Sequence, residues 1–291
     1  MDRRRIATCA LTIGLVGAGA ASARAERISP PMTFTGNVEA DFPKTPGGPV
    51  TVIPGNGLGS VAQADWITKQ GWINGWTMKD LRFAYDRAND TLNVGINFYG
   101  IAGDADGNGD PGGADPRTVA SGGVDTAHLG GRKSISVAFA ADAPNTHALG
   151  APVIIAGVPA NKDQAGPGID GFTVANYKAT NQGIAYNFGA ARPDNLGALA
   201  FDPSQAHPGF EFTVKDFSKI PGLDPKTGFW VQAFAGSPDD IVAGEDSIGW
   251  VRLPKFAEQT VPEPTTVVAW SLLAGGAAWG IRRSRRRDAQ V

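Results

Sequence analysis

The chain is poor in sulfur and in imidazole: one cysteine, Cys9, and three histidines in 291 residues. Cys9 falls in an N-terminal stretch expected to be removed, so the mature body has no thiol. That excludes a disulfide framework and thiol chemistry. His128, His147 and His207 all sit in Gly-, Ala- or Pro-rich stretches that read as loops. With no H-E-x-x-H and no close histidine pair, a zinc site is not expected. No G-x-S-x-G elbow occurs, although counting alone leaves a dispersed Ser-His-Asp triad open. The glycine run at 55–59 lacks the Lys-Ser/Thr of a phosphate loop and reads as a flexible turn. Charged residues are only 19% and hydrophobic ones 42%, a balance that excludes a disordered polyampholyte. Between residues 26 and 260 no window sustains a helical repeat for three turns. No basic patch occurs there either, which argues against nucleic acid as a partner.

Glycine and proline are abundant instead, 39 and 21 residues, and both are costly in helix interiors. The formal net charge of −2 averages three unlike segments. Residues 1–25 carry net +3, residues 265–291 net +4, and residues 26–264 carry 17 positive against 26 negative charges, net −9. The body is thus an acidic domain between two basic ends.

Residues 1–25 have the three parts of a secretory signal: Arg3, Arg4 and Arg5, an apolar stretch from 6 to 21, and Ala23-Arg24-Ala25 as a cleavage site for signal peptidase. The other end begins with Pro262-Glu263-Pro264. An uncharged stretch follows at 265–281, at the short edge of what spans a bilayer. Arg282, Arg283, Arg285, Arg286 and Arg287 then cluster on the side expected to stay cytoplasmic. This order of Pro-Glu-Pro, short apolar helix and basic end (261–287) resembles the PEP-CTERM sorting signal. The resemblance implies a Gram-negative exported protein processed by an exosortase. It further implies an inner-membrane-anchored precursor, delivery to the cell surface or exterior, and an association with exopolysaccharide and biofilm.

The expected fold class is all-β: a β-sandwich, jelly-roll-like, occupying 26–260, with a signal helix before it and a membrane helix after it. Short apolar/polar alternations bounded by Gly, Pro, Asn or Asp predict strands at 34–40, 81–85, 92–98, 135–139, 210–214 and 229–234. Further candidates lie at 153–156, 248–253, 171–174 and 184–188. Residues 86–90 read as a hairpin connection, and a short turn is expected at 214–220. The run 80–115 also resembles strand pairs of exported β-sandwich domains with carbohydrate-binding-module-like folds, which implies a sandwich and leaves ligand binding open.

One motif carries sharp chemistry. In 104–115, Asp104, Asp106, Asn108 and Asp110 take alternate positions, Gly109 takes position 6 and Asp115 position 12. This is close to the calcium loop D-x-[DN]-x-[DN]-G. A hard cation needs six to eight oxygens at about 2.4 Å, and alternate oxygen-bearing side chains on a curling loop can converge on one point. Position 12 is Asp rather than Glu, position 8 is Pro, and no helix pattern flanks the loop. The expectation is therefore structural Ca2+ held between strands, with Asp125 or Asp170 as further donors, and not an EF-hand.

For catalysis, Glu211, Glu245 and Asp246 are candidates by residue type alone. Aromatic rings bind sugars by stacking, and Trp72 and Trp76, in Gly-Trp-Ile-Asn-Gly-Trp, are the expected platform if one exists. The leading expectation is a non-catalytic, calcium-stabilised surface or matrix protein. The alternatives are a carbohydrate-binding module for exopolysaccharide and a secreted hydrolase.

Overall fold

The apolar/polar alternations become strands nearly wherever glycine or an Asx residue bounds them. The computed structural model describes residues 32–46, 48–58, 64–110, 113, 115–120, 133–160, 172–192, 199–200, 202, 209–236 and 245–256. All fall in the unit Ile28–Thr260. The signal at 1–25, the sorting segment at 261–287, Asp125, Asp170, His128 and His207 lie outside the described residues. Among the described residues no helix is long and apolar enough to cross a membrane.

In chain order the strands are β1 (Thr51–Pro54), β2 (Met78–Asp86), β3 (Thr91–Phe98), β4 (Ser134–Asp142), β5 (Leu149–Val158), β6 (Thr173–Tyr177), β7 (Phe188–Ala191), β8 (Leu199–Ala200), β9 (Phe210–Lys215), β10 (Phe229–Gly236) and β11 (Glu245–Leu253). They form two antiparallel sheets, in the orders β1-β2-β3-β9-β8 and β11-β10-β4-β5-β6-β7. Most neighbours are hairpins. The crossovers are the pairings β3–β9 and β4–β10, with Ile96 opposite Phe210 and Val137 opposite Ala233.

Period-two alternation sends Leu81, Phe83, Val94, Ile96, Phe210 and Phe212 from the first sheet into the same buried cluster as Val137, Phe139, Ile154, Phe229 and Val231 from the second. This is the sandwich core. Each such side chain contributes about 1.5–3 kcal/mol by leaving water. The expected turn near 214–220 is a 3-10 turn, Phe217–Lys219, and its Phe217 ring lies 4.8 Å from that of Phe229. The Asp86–Asp90 connection joins β2 to β3 as expected.

Two expected strands are corrected. Residues 34–40 do not form a strand. They lead into a short helix, α1 (Val38–Asp41), whose cap Asn37 accepts from Ala40 N–H through its side chain. Val38 and Phe42, four apart, pack with Ala84 on the outer face of the first sheet. That face admits them because it is bare at Gly95, where a Cβ would lie 2.7 Å from Val38. Residues 184–188 begin as a 3-10 turn, Ile184–Tyr186, before β7. Two other short helices escape the periodicity argument. α2 (Asp65–Gln70) ends at Gly71 with φ 74°, and α3 (Pro116–Ala120) follows the acidic loop. Both are too short to display a 3.6-residue period.

Candidate functional site

The loop that leaves β3 and the segment that enters β2 meet at one end of the first sheet. Tyr99 N–H donates to the Thr77 carbonyl at 3.1 Å, and Gly75 N–H to the Asp104 carbonyl at 2.8 Å. The fully buried Asn74 finishes the seam: its amide donates to the Ala105 carbonyl at 2.8 Å and its oxygen accepts from Trp76 N–H at 2.7 Å. The two backbones touch only because residue 75 has no side chain. A Cβ there would sit 1.8 Å from the Ile101 carbonyl oxygen.

On this seam the acidic loop curls around its own side chains. Asp104 Oδ1 accepts from the N–H groups of Gly107 at 2.6 Å and Asn108 at 3.1 Å, and Oδ2 from Gly109 at 2.7 Å. Asp106 accepts from Asn108 N–H at 3.1 Å and Asp115 N–H at 2.7 Å, and Asn108 Oδ1 from Asp110 N–H at 2.6 Å. Gly107 and Gly109 take the left-handed conformations (φ 71° and 93°) that this curl requires. Asp104 and Asp106 are 1% and 0% exposed. Burial pushes the Asp104 carboxyl up to about 6, and the neighbouring Asp106 charge adds to the rise, against the three N–H donors that pull it down.

The five expected metal ligands are therefore not equivalent. Asp104, Asp106 and Asn108 turn into one curl, while Asp110 is exposed. Asp115 pairs with Arg117 at 2.8 Å, which holds its carboxyl down at about 2. Among the described residues no three Asp, Glu, His or Cys side chains converge closely enough to hold a metal by themselves. Any cation in this loop would draw on Asp104, Asp106 and the Asn108 oxygen, whose side chains accept within the curl. Asp115 would join only by leaving Arg117.

The two expected platform tryptophans part company. Trp76 is 0% exposed and belongs to the sandwich core, so it offers no face to a ligand. Trp72 is half-buried and stacks edge-on against Trp66 at 6.2 Å, while the Arg117 guanidinium lies 4.3 Å from the centre of the Trp66 ring. Trp72 borders an open cavity of about 250 Å³ shared with Tyr99, Ile101, Asp104 and the glycines at 100, 107 and 109. Tyr99 was not anticipated. Its sequence signal is the Tyr-Gly pair that follows the predicted strand at 92–98.

Of the acids picked by type, Asp246 and Glu211 are both buried, and the Glu245 side chain lies outside what is described. Asp246 is buried and accepts from Met78 N–H at 2.7 Å, which pins β11 to the start of β2. Glu211 lies buried on the outer face of the first sheet. His147 is exposed and hydrogen-bonds Asp142 at 2.9 Å, where Arg252 also binds at 2.7 Å. The chain matches no protein-family model, no curated protein and no solved structure.

Proposed function

We propose that this chain is an exported, non-catalytic cell-surface or matrix protein, built as a jelly-roll-like sandwich whose 104–115 loop is stabilised by calcium. In this reading a signal helix at 1–25 exports the body, and the segment 261–287 anchors the precursor until an exosortase processes it. The body then serves in an exopolysaccharide-rich exterior. The observation that carries the calcium part is the inward turn of Asp104, Asp106 and Asn108 on one curled loop with both carboxylates buried. Buried charges are costly unless paired or metal-bound, and an exterior with millimolar calcium supplies the counter-charge.

Thermal melting of the full-length chain tests this part. Calcium at about a hundred times its dissociation constant adds about 2.7 kcal/mol, which is a rise in Tm of about 5–10 °C for a domain of this size. The rise should vanish in Asp104→Ala. Equal melting in calcium and in chelator would remove calcium from the proposal. The sorting part is tested separately by replacing Pro262, Glu263 and Pro264 with alanine. The expected product is an unprocessed, membrane-retained chain; normal processing and release would end the exosortase reading.

A second reading, a carbohydrate-binding module, is favoured by the cavity beside Trp72. A sugar ring stacked on Trp72 would meet the Tyr99 side chain and a glycine-lined floor.

A further inference from the structure

The outer face of the first sheet carries a second acidic pair, far from the loop in sequence. Glu211 sits in the middle of β9 and is 0% exposed. One of its oxygens, Oε2, accepts from Gly36 N–H at 2.6 Å. The other, Oε1, is buried with no conventional donor. The carboxyl of Asp41, on α1, and the Thr35 N–H are the neighbours of this carboxyl. Asp41 in turn accepts from Thr35 N–H at 2.6 Å and from the Thr35 hydroxyl at 2.8 Å. Gly209 N–H donates to the Gly36 carbonyl at 2.8 Å. Residues 35–36 thus rest on both acids at once, and neighbouring carboxylates disfavour each other's ionised form.

Among the described residues, the charges on β2 of the same sheet are already engaged. On β2, Arg82 is engaged by Asp80 at 2.8 Å and donates to the Phe42 carbonyl at 2.8 Å. Lys79 is bound to Glu39. The residues flanking Glu211 on β3 are Asn93, Gly95 and Asn97, and its partner on β8 is Ala200. On β9 itself the same face carries Thr213, whose buried hydroxyl has no partner, and the exposed Lys215. Among the described residues of this face, Asp80 is thus paired with Arg82 and Glu39 with Lys79.

We propose that Glu211 and Asp41 share one proton, Glu211 Oε1–H donating to the Asp41 carboxylate, and that this proton fastens the N-terminal segment 34–42 to the outer face of the first sheet. Losing it to solvent leaves a fully buried charge on Glu211 beside the half-buried Asp41 carboxylate, and the segment lifts. The direction agrees with the shift of Glu211, pushed up to about 8 chiefly by burial and further by Asp41. A carboxyl raised in the docked state stabilises docking fully below its free value near 4.5 and loses that contribution as pH rises to about 8. The segment is thus tightest in mild acid and loosest in mild alkali.

Hydrogen exchange of the full-length chain, corrected for intrinsic rates, reads this directly. Between about pH 5 and pH 8 the protection of amides in 34–42 should fall by more than about tenfold, since linkage allows up to a factor of ten per pH unit. Amides of β4 and β10 serve as the reference and should hold. Glu211→Gln keeps a donor for Asp41 and an acceptor for Gly36 without a titration, so its protection should stay flat. Asp41→Asn removes the like charge and should shrink the fall and end it at lower pH. A flat wild-type profile, the same fall in Glu211→Gln, or an unchanged profile in Asp41→Asn would each overturn the shared proton. If Glu211→Gln fails to fold, the Asp41→Asn comparison and the infrared loss of a protonated carboxyl in the wild type decide it.

Discussion

Trp76→Ala is expected to destabilise the chain by about 3–5 kcal/mol, the cost of deleting a fully buried large aromatic, while Trp72→Ala, four residues earlier, should cost about 1 kcal/mol. The contrast follows from their positions. Trp76 is packed into the sandwich core with the Lys133 ammonium 5.7 Å from its ring centre, and removing it leaves a cavity that the two sheets cannot close. Trp72 contributes an edge contact to Trp66 and a wall to an open cavity. Urea unfolding measures both: a large fall in midpoint for Trp76→Ala at constant slope, a small one for Trp72→Ala. Retention on polysaccharide affinity gels should run the opposite way. If Trp72 is a sugar platform, Trp72→Ala loses retention while the folded fraction of Trp76→Ala keeps it. Equal stabilities for the two variants would contradict their burial, and unchanged retention of Trp72→Ala would remove the carbohydrate reading.

This pair shows what periodicity can and cannot tell. Strand cores such as Leu92–Phe98 and Phe229–Phe234 were legible because alternation is set by the pleat itself. The sandwich followed from many such runs without a helical repeat. Residues 34–40 misled for a physical reason: the apolar residues at Phe34 and Val38 fit a strand as well as a helix turn, and the deciding contact, Val38 and Phe42 over Gly95, is 53 residues away in sequence from Phe42. For the same reason the alternation in β9 marks Glu211 as pointing away from the core but not as buried, since the segment around Gly36 that meets its carboxyl was expected as a strand. At the acidic loop the spacing located the curl, and the left-handed glycines agree with it. It could not foresee that Asp115 would be taken by Arg117, a contact made two residues along a chain that turns helical there.

Gly75→Ala should be the most damaging small substitution at the candidate site, at about 3 kcal/mol, the upper range for forced overpacking. The added methyl would stand 1.8 Å from the Ile101 carbonyl oxygen and 2.7 Å from that of Asp104, both backbone atoms that cannot swing aside. Relief requires separating the 71–77 segment from the 99–110 loop. That breaks the Gly75–Asp104 hydrogen bond and pulls on the Asn74 bond to Ala105. The curl of Asp104, Asp106 and Asn108 is seated on this seam, so any calcium-dependent rise in Tm should disappear together with the exchange protection of Gly75 and Tyr99. Gly109→Ala is the control. Its φ of 93° is strained for alanine, but the new methyl meets nothing within 4 Å, so the cost should stay near the 1–2 kcal/mol of a left-handed residue. The two substitutions place the same methyl on the two sides of one site, and only the one that separates two backbones should unseat the acidic loop. If Gly75→Ala melts like the parent with its amide protection intact, the close approach of these segments does not hold the site together, and the loop must be organised by its own hydrogen bonds alone.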